Sequence, residues 1–256
     1  MNVPFLGLCR FVPLAVLAVA PFAAGATGCS SSSAAAASGQ DAGSDAAADG
    51  APGDEAGSSC SAAIQQTLKP IDSVTKGLVT IVSDSGGVRV LSIDASAGGP
   101  NAFANNPYVY VSLETGTRVD VTDKTAREST DWDLALKRYV IYTNDGDAGK
   151  GQGGATHVSK SFASVTSADA TGFGTESFFD ADCNAKQDAI GGLLTTFSDW
   201  YTYDQQSNRL APAGFTYVVR GATGKTYKVA LLDYYGSPDG GTGGASGELL
   251  LQVSPL

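Results

Sequence analysis

Asp131-Trp132-Asp133-Leu134-Ala135-Leu136-Lys137-Arg138-Tyr139 runs through Thr143-Asn144-Asp145-Gly146 into Gly149-Lys150-Gly151-Gln152-Gly153-Gly154-Ala155. It joins an aromatic-led apolar segment to a loop too rich in glycine to be a strand. Trp132 reads as a core anchor, because a large ring contributes most when it is taken out of water. Asp131 and Asp133 flank a strand, and together with Asp145 and Asp147 they miss the spacing of a calcium-binding EF-hand loop. The glycine run lacks the GxxxxGK[ST] order that cradles phosphate. It reads instead as a structural turn whose glycines supply positive φ.

On either side the pattern is that of strands. Residues 79–82 and 88–93 are short β-branched runs separated by Ser83-Asp84-Ser85-Gly86-Gly87, a turn signal. Tyr108-Val109-Tyr110-Val111-Ser112-Leu113 is dense in strand formers, and Thr115-Gly116-Thr117 turns it into Arg118-Val119-Asp120-Val121. Phe215-Thr216-Tyr217-Val218-Val219-Arg220 meets Thr226-Tyr227-Lys228-Val229-Ala230-Leu231-Leu232 across a Gly-containing turn, a hairpin, and 248–253 supplies a last strand. Helical periodicity is scarce; the best candidate is 189–199, one or two turns after the Gly191-Gly192 interruption. The expected fold is all-β: a single, predominantly antiparallel domain with at most one or two short helical turns.

The amino terminus points to export. Residues 11–24 form an apolar run of 14 preceded by Arg10 and interrupted by Pro13 and Pro21. As a helix it would reach about 21 Å, against about 30 Å of hydrocarbon, so residues 1–28 read as a signal peptide. Ala26-Thr27-Gly28-Cys29 looks like a bacterial lipobox, with Cys29 acylated after cleavage before it. Residues 29–63 then form a lipidated tether of Ser, Ala, Gly and Asp with nothing large and apolar to bury. Such a segment does not offset its ordering entropy, and as a flexible coil its ends would lie roughly 30 Å apart. Residues 64–256 remain as one globular domain. The expected location is extracytoplasmic, on a lipid anchor in a bacterial membrane, with the outer membrane favoured by Ser30 in place of an aspartate.

The net charge is -10, and Lys and Arg are scattered and outnumbered, which excludes a basic groove for nucleic acid. Cys9 leaves with the signal and Cys29 carries lipid, leaving Cys60 and Cys183 as an even pair in an oxidising compartment. A disulfide between them is expected; two free thiols or pairing between chains are the alternatives. No GxSxG elbow accompanies the single histidine, so an enzyme is not expected.

Three ordered blocks carry a family resemblance. The first is Leu91-Ser92-Ile93-Asp94-Ala95-Ser96, leading to the paired strands that end at Val121-Thr122-Asp123. The second is the stretch 132–155. The third comprises Trp200-Tyr201-Thr202-Tyr203, then Tyr217-Val218-Val219-Arg220-Gly221-Ala222-Thr223-Gly224-Lys225, Lys228-Val229 and Asp233-Tyr234-Tyr235. Over roughly 88–253 the chain resembles the HmuY haem-binding lipoproteins. The resemblance implies an all-β protein that captures haem outside the cell and passes it to an outer-membrane receptor.

The ligand set departs from that family. Its members commonly place one axial histidine, or in some a methionine, between the glycine-rich loop and the Trp block, and another a few residues past that tryptophan. Here 176–186 occupies the first neighbourhood and Gln205 sits near the second, with no His or Met in either. His157 is the single histidine and matches neither position. Haem accepts nitrogen, sulfur or phenolate donors, which leaves His157, Tyr201 and Tyr203 as candidates. The two tyrosines share a face if the segment is extended, where cross-strand aromatic packing is the favoured role and phenolate ligation the alternative. Two functions follow: haem capture with diverged or single axial coordination, or a surface module on the same β scaffold for a peptide, glycan or other apolar ligand.

Overall fold

A computed structural model describes residues 60–256. The signal peptide at 1–28, lipidation at Cys29 and all but the end of the tether lie outside the described residues. Six strands form one sheet: β1 (Val79–Ser85), β2 (Val88–Asp94), β7 (Gly154–Val158), β10 (Thr216–Arg220), β11 (Thr226–Asp233) and β12 (Glu248–Pro255), in the order β1-β2-β12-β11-β10-β7. Four form a second: β3 (Val109–Ser112), β4 (Thr117–Val119), β5 (Leu134–Lys137) and β6 (Val140–Thr143), ordered β4-β3-β5-β6. β8 (Tyr201–Asp204) and β9 (Arg209–Pro212) make a separate hairpin. Every pairing between these strands is antiparallel, with one isolated parallel bridge from Tyr235 to Glu248, so the expected all-β architecture holds.

Period-two alternation explains how the four-stranded sheet is buried on both faces. Val109, Val111, Leu134, Leu136 and Ile141 face the six-stranded sheet and join Leu91, Ile93, Val229, Leu249 and Leu251 in one apolar cluster. The residues between them, Tyr108, Tyr110, Ala135 and Tyr142, face the other way and pack with Trp132, Phe178, Ile64 and Leu68 in a second cluster. Register makes this exact partnering possible: Ala135 sits opposite both Tyr110 and Tyr142, and its small side chain leaves room for the two rings. Each fully buried large side chain contributes about 1.5–3 kcal/mol. Trp132 is an anchor as expected, fully buried with its indole N–H donating to Ala126 O at 2.8 Å.

Two short helices close this second cluster, α1 (Ser61–Thr67) and α2 (Asp123–Ala126). α1 buries Ile64 and extends back into the last three residues of the segment read as a tether. α2 is capped by Thr122, whose hydroxyl accepts from Thr125 N. The helix expected over 189–199 is absent. Asp188 Oδ1 instead accepts from Ile190 N and Gly192 N, and Gly191 takes φ +84; an aspartate holding local backbone donors competes with the helical ladder. Cys60 and Cys183 are disulfide-bonded, which ties the start of α1 to the turn at 180–184.

The glycine loop is structural, for a reason that differs in part from the expected one. Gly146 does adopt positive φ, +51. Gly151 and Gly153 are required by close approach instead: a Cβ on either would lie 2.5 or 2.6 Å from Asn144 O. Asn144 is fully buried and organises the loop. Its amide donates to Ser129 O and Trp132 O, its Oδ1 accepts from Gly151 N, and its backbone carbonyl accepts from Gly153 N. The aspartates nearby also serve the backbone. Asp133 accepts from Leu113 N and Ala222 N, and Asp147 accepts from Phe178 N.

Candidate ligand-binding site

The site is assembled from three distant pieces of chain. β7 is the edge strand of the large sheet and pairs with β10, placing His157 opposite Tyr217. The His157 ring packs 4.3 Å from Phe215 and 5.5 Å from Tyr217, centroid to centroid. The β8–β9 hairpin supplies Tyr201 and Tyr203, and the irregular segment between them and the glycine loop supplies Asp188, Ile190, Leu194 and Asp199. Together these residues line an open cleft of about 810 Å³, within the size range of small-molecule and cofactor sites. His157, Tyr201 and Tyr203 are thus brought together, although 44 residues or more separate the histidine from the tyrosines.

Their chemical states differ. The His157 side chain is 33% exposed, so it is reachable from the cleft, and its Nε2 lies 3.5 Å from Asp199 Oδ2. Tyr201 donates to Asp188 Oδ2 at 2.7 Å. Burial, followed by that carboxylate, holds the Tyr201 phenol above its usual range, which opposes the phenolate. Its ring also stands edge-on to Tyr139 and Trp200, at 5.8 and 5.1 Å, in line with the packing role favoured for it. Tyr203 is 38% exposed and donates to Asn208 Oδ1. Among the described residues lining the cleft there are two carboxylates and no Lys or Arg.

The two neighbourhoods where the family resemblance places ligands fare differently. Gln205 does line the cleft. The 176–186 segment is drawn into the structure: Phe178 and Phe179 are core, Cys183 is in the disulfide, and Glu176 is 2% exposed. Glu176 accepts from Thr143 N and from the Thr196 amide and hydroxyl, and burial pushes its carboxyl up to about 7. Asp188, Asp199 and Phe215 were not foreseen as site residues. Phe215 was visible only as the head of a strand, and neither aspartate carries a local signal.

A model of the HmuY protein family matches residues 104–247, more than half of the 256. The chain belongs to the HmuY family. The matched span contains every residue of the cleft and is shorter at both ends than the resemblance read over 88–253, leaving out α1, β1, β2 and β12. Among solved structures, similar ones include an apo HmuY analogue of Tannerella forsythia, at 15% identity and a TM-score of 0.47 over 71% of this HmuY-family chain and 97% of that one. A protein named as an HmuY-like haem binder from Bacteroides vulgatus is 18% identical, with a TM-score of 0.47 over 69% and 97%. A protein named as a lipoprotein from Bacteroides fragilis is 17% identical, with a TM-score of 0.45 over 70% and 94%. No curated protein matches the chain.

Proposed function

We propose that this HmuY-family chain is an extracytoplasmic binding protein, lipid-anchored through Cys29 on a tether over 29–63, that takes haem into the His157–Tyr201–Tyr203 cleft and hands it to a receptor in the outer membrane. The observation that carries the reading is the convergence of the three candidate donors on one open cleft. His157 is the best axial donor of the three. Its imidazole is accessible, and an exposed carboxylate beside one ring nitrogen orients the ring, as outer partners of iron- and zinc-bound histidines do. Tyr201 is held neutral by Asp188 and serves as an aromatic wall.

The absence of Lys and Arg from the described lining, with Asp188 and Asp199 present, orients the ligand. Phe215, Ile190 and Leu194 would hold the porphyrin's apolar face, and the lining would offer its propionates no cation. Coordination through one histidine, without a second strong ligand, makes capture weaker and release easier than a bis-histidine site. Catalysis is not part of this reading. Ser198 also lines the cleft, and its hydroxyl accepts from Thr195 N at 2.8 Å.

The test is a haemin titration of the purified chain carrying Cys29→Ser, followed by absorbance. A Soret band that shifts and saturates at one equivalent is expected, lost in His157→Ala and retained in Tyr201→Phe and Tyr203→Phe. No saturable shift under oxidising or reducing conditions would sink the haem reading and leave a module for a peptide, glycan or other apolar ligand.

A further inference from the structure

A second cleft, of about 450 Å³, lies between the end of α1, the 100–104 turn, the β5–β6 turn and residues 191–193. Its walls are apolar: Leu68, Phe103, Tyr108, Tyr139, Val140 and Leu193. Its charge is the reverse of the haem cleft's. Lys69, Lys137 and Arg138 line it, and among the described lining residues there is no carboxylate, in a chain of net charge -10.

Lys137 is the unusual residue. It ends β5 on the side of the sheet that carries Ala135 and the tyrosines, which leaves the residue only 8% exposed. Among the described residues its ammonium forms no hydrogen bond and no ion pair. Its one close partner is the face of Tyr108, at 4.5 Å. The nearby carboxylate is Asp123, whose Oδ1 accepts from Tyr108 N and the Tyr110 hydroxyl and whose Oδ2 is buried without a hydrogen-bond partner; it acts on Lys137 through space, with no hydrogen bond between them. The Lys137 stem is buried while the ammonium opens onto the cleft, so an anion entering there can pair with it. Partial burial lowers its pKa while Asp123 opposes the change.

We propose that this cleft binds a monocarboxylate with an apolar body, the carboxylate accepting from Lys137 within reach of Lys69 and Arg138, and the body lying against Leu68, Phe103, Val140 and Leu193. Such a ligand supplies what the site lacks, an anion at the ammonium, and covers what it exposes. Charge complementarity also separates it from the haem cleft, whose lining carries carboxylates instead.

Decanoate is the probe, titrated calorimetrically into the full chain, with 1-decanol as its uncharged counterpart. One saturable equivalent of decanoate is expected, with decanol at least about tenfold weaker. Lys137→Met should weaken decanoate at least about tenfold, and the exposed Lys69→Glu should weaken it too without touching the core, which keeps the proposal open to refutation should the first variant fold poorly. His157→Ala should leave decanoate binding intact, and Lys137→Met should leave the haemin Soret shift intact, so each cleft fails or stands alone. Equal affinity for decanol and decanoate, unchanged binding in both lysine variants, or no saturable heat overturns it.

Discussion

Glu176 makes the stability of this protein fall as the solution is taken from mildly acidic to neutral. The residue is 2% exposed and its carboxyl meets Thr143, Thr196 and Asp145, with no ion pair among the described residues. Burial, with Asp145 adding to it and the threonine hydrogen bonds opposing it, raises the pKa from 4.5 to about 7. The folded protein therefore keeps this proton up to about pH 7, whereas the unfolded chain gives it up near 4.5. The favourable contribution is complete below 4.5 and is lost as pH climbs through 7. At about 1.4 kcal/mol per pH unit the loss amounts to about 3 kcal/mol. Asp123, raised to about 6, and Glu248, raised to about 7, have the same sign. The carboxyls that the fold lowers, Asp169, Asp180, Asp204 and Asp239, matter only below their unfolded value of 3.8, outside this window. Urea unfolding followed through the buried Trp132 and Trp200, at several pH values from 4.5 to 8, measures the slope. In Glu176→Gln the side chain no longer titrates, and any misfit of the amide against Thr196 N–H is an offset independent of pH. The variant's slope between 4.5 and 7 should be shallower by up to about 1.4 kcal/mol per unit. Identical slopes in the two proteins, or wild-type stability rising over this range, would refute the reasoning.

Three further outcomes can be checked by unfolding. The Cys60–Cys183 bond spans 123 positions, so the chain-entropy model gives about 5 kcal/mol; the double serine variant should unfold at lower urea and exchange amides faster over Ser61–Thr67, since a seven-residue helix does not stand alone, and an unmoved midpoint would contradict this. Gly153→Ala drives a methyl to 2.6 Å from Asn144 O and should cost at least about 1–3 kcal/mol, visible as a reduced midpoint; wild-type stability would show that the loop yields. Trp132→Ala removes a fully buried ring and its bond to Ala126 O and should cost about 3–5 kcal/mol, with calorimetry showing a single transition at lower temperature.

Some of this protein was legible without coordinates because it depends on local chemistry. The β-branched and aromatic runs at 88–93, 108–113, 215–220 and 226–232 carry their own backbone preference, and a strand in those segments needs only neighbours to pair with. The disulfide could be read from the two cysteines lying outside the stretch taken as a signal peptide and lipobox, and Trp132 had nowhere favourable to go but the interior. What local chemistry misled was 189–199, where a helix-like spacing lost to the Asp188 carboxylate capturing two backbone amides.

The sites belong to tertiary structure alone. Nothing near His157 in sequence announces Tyr201, Tyr203 or Asp199; the pairing of β7 with β10 and the placement of the β8–β9 hairpin bring them to one cleft. Lys137 looks like a solvated strand residue until alternation along β5 turns it onto the aromatic face beneath α1. The glycines at 151 and 153 are explained by Asn144, a contact across the loop rather than a property of the loop's own torsions. Sequence determines which segments can extend and which side chains must hide, because those are free energies of single residues and their neighbours. Which buried charges meet, and which are left facing a cleft, depends on distances between segments far apart in the chain, and only the folded protein sets those.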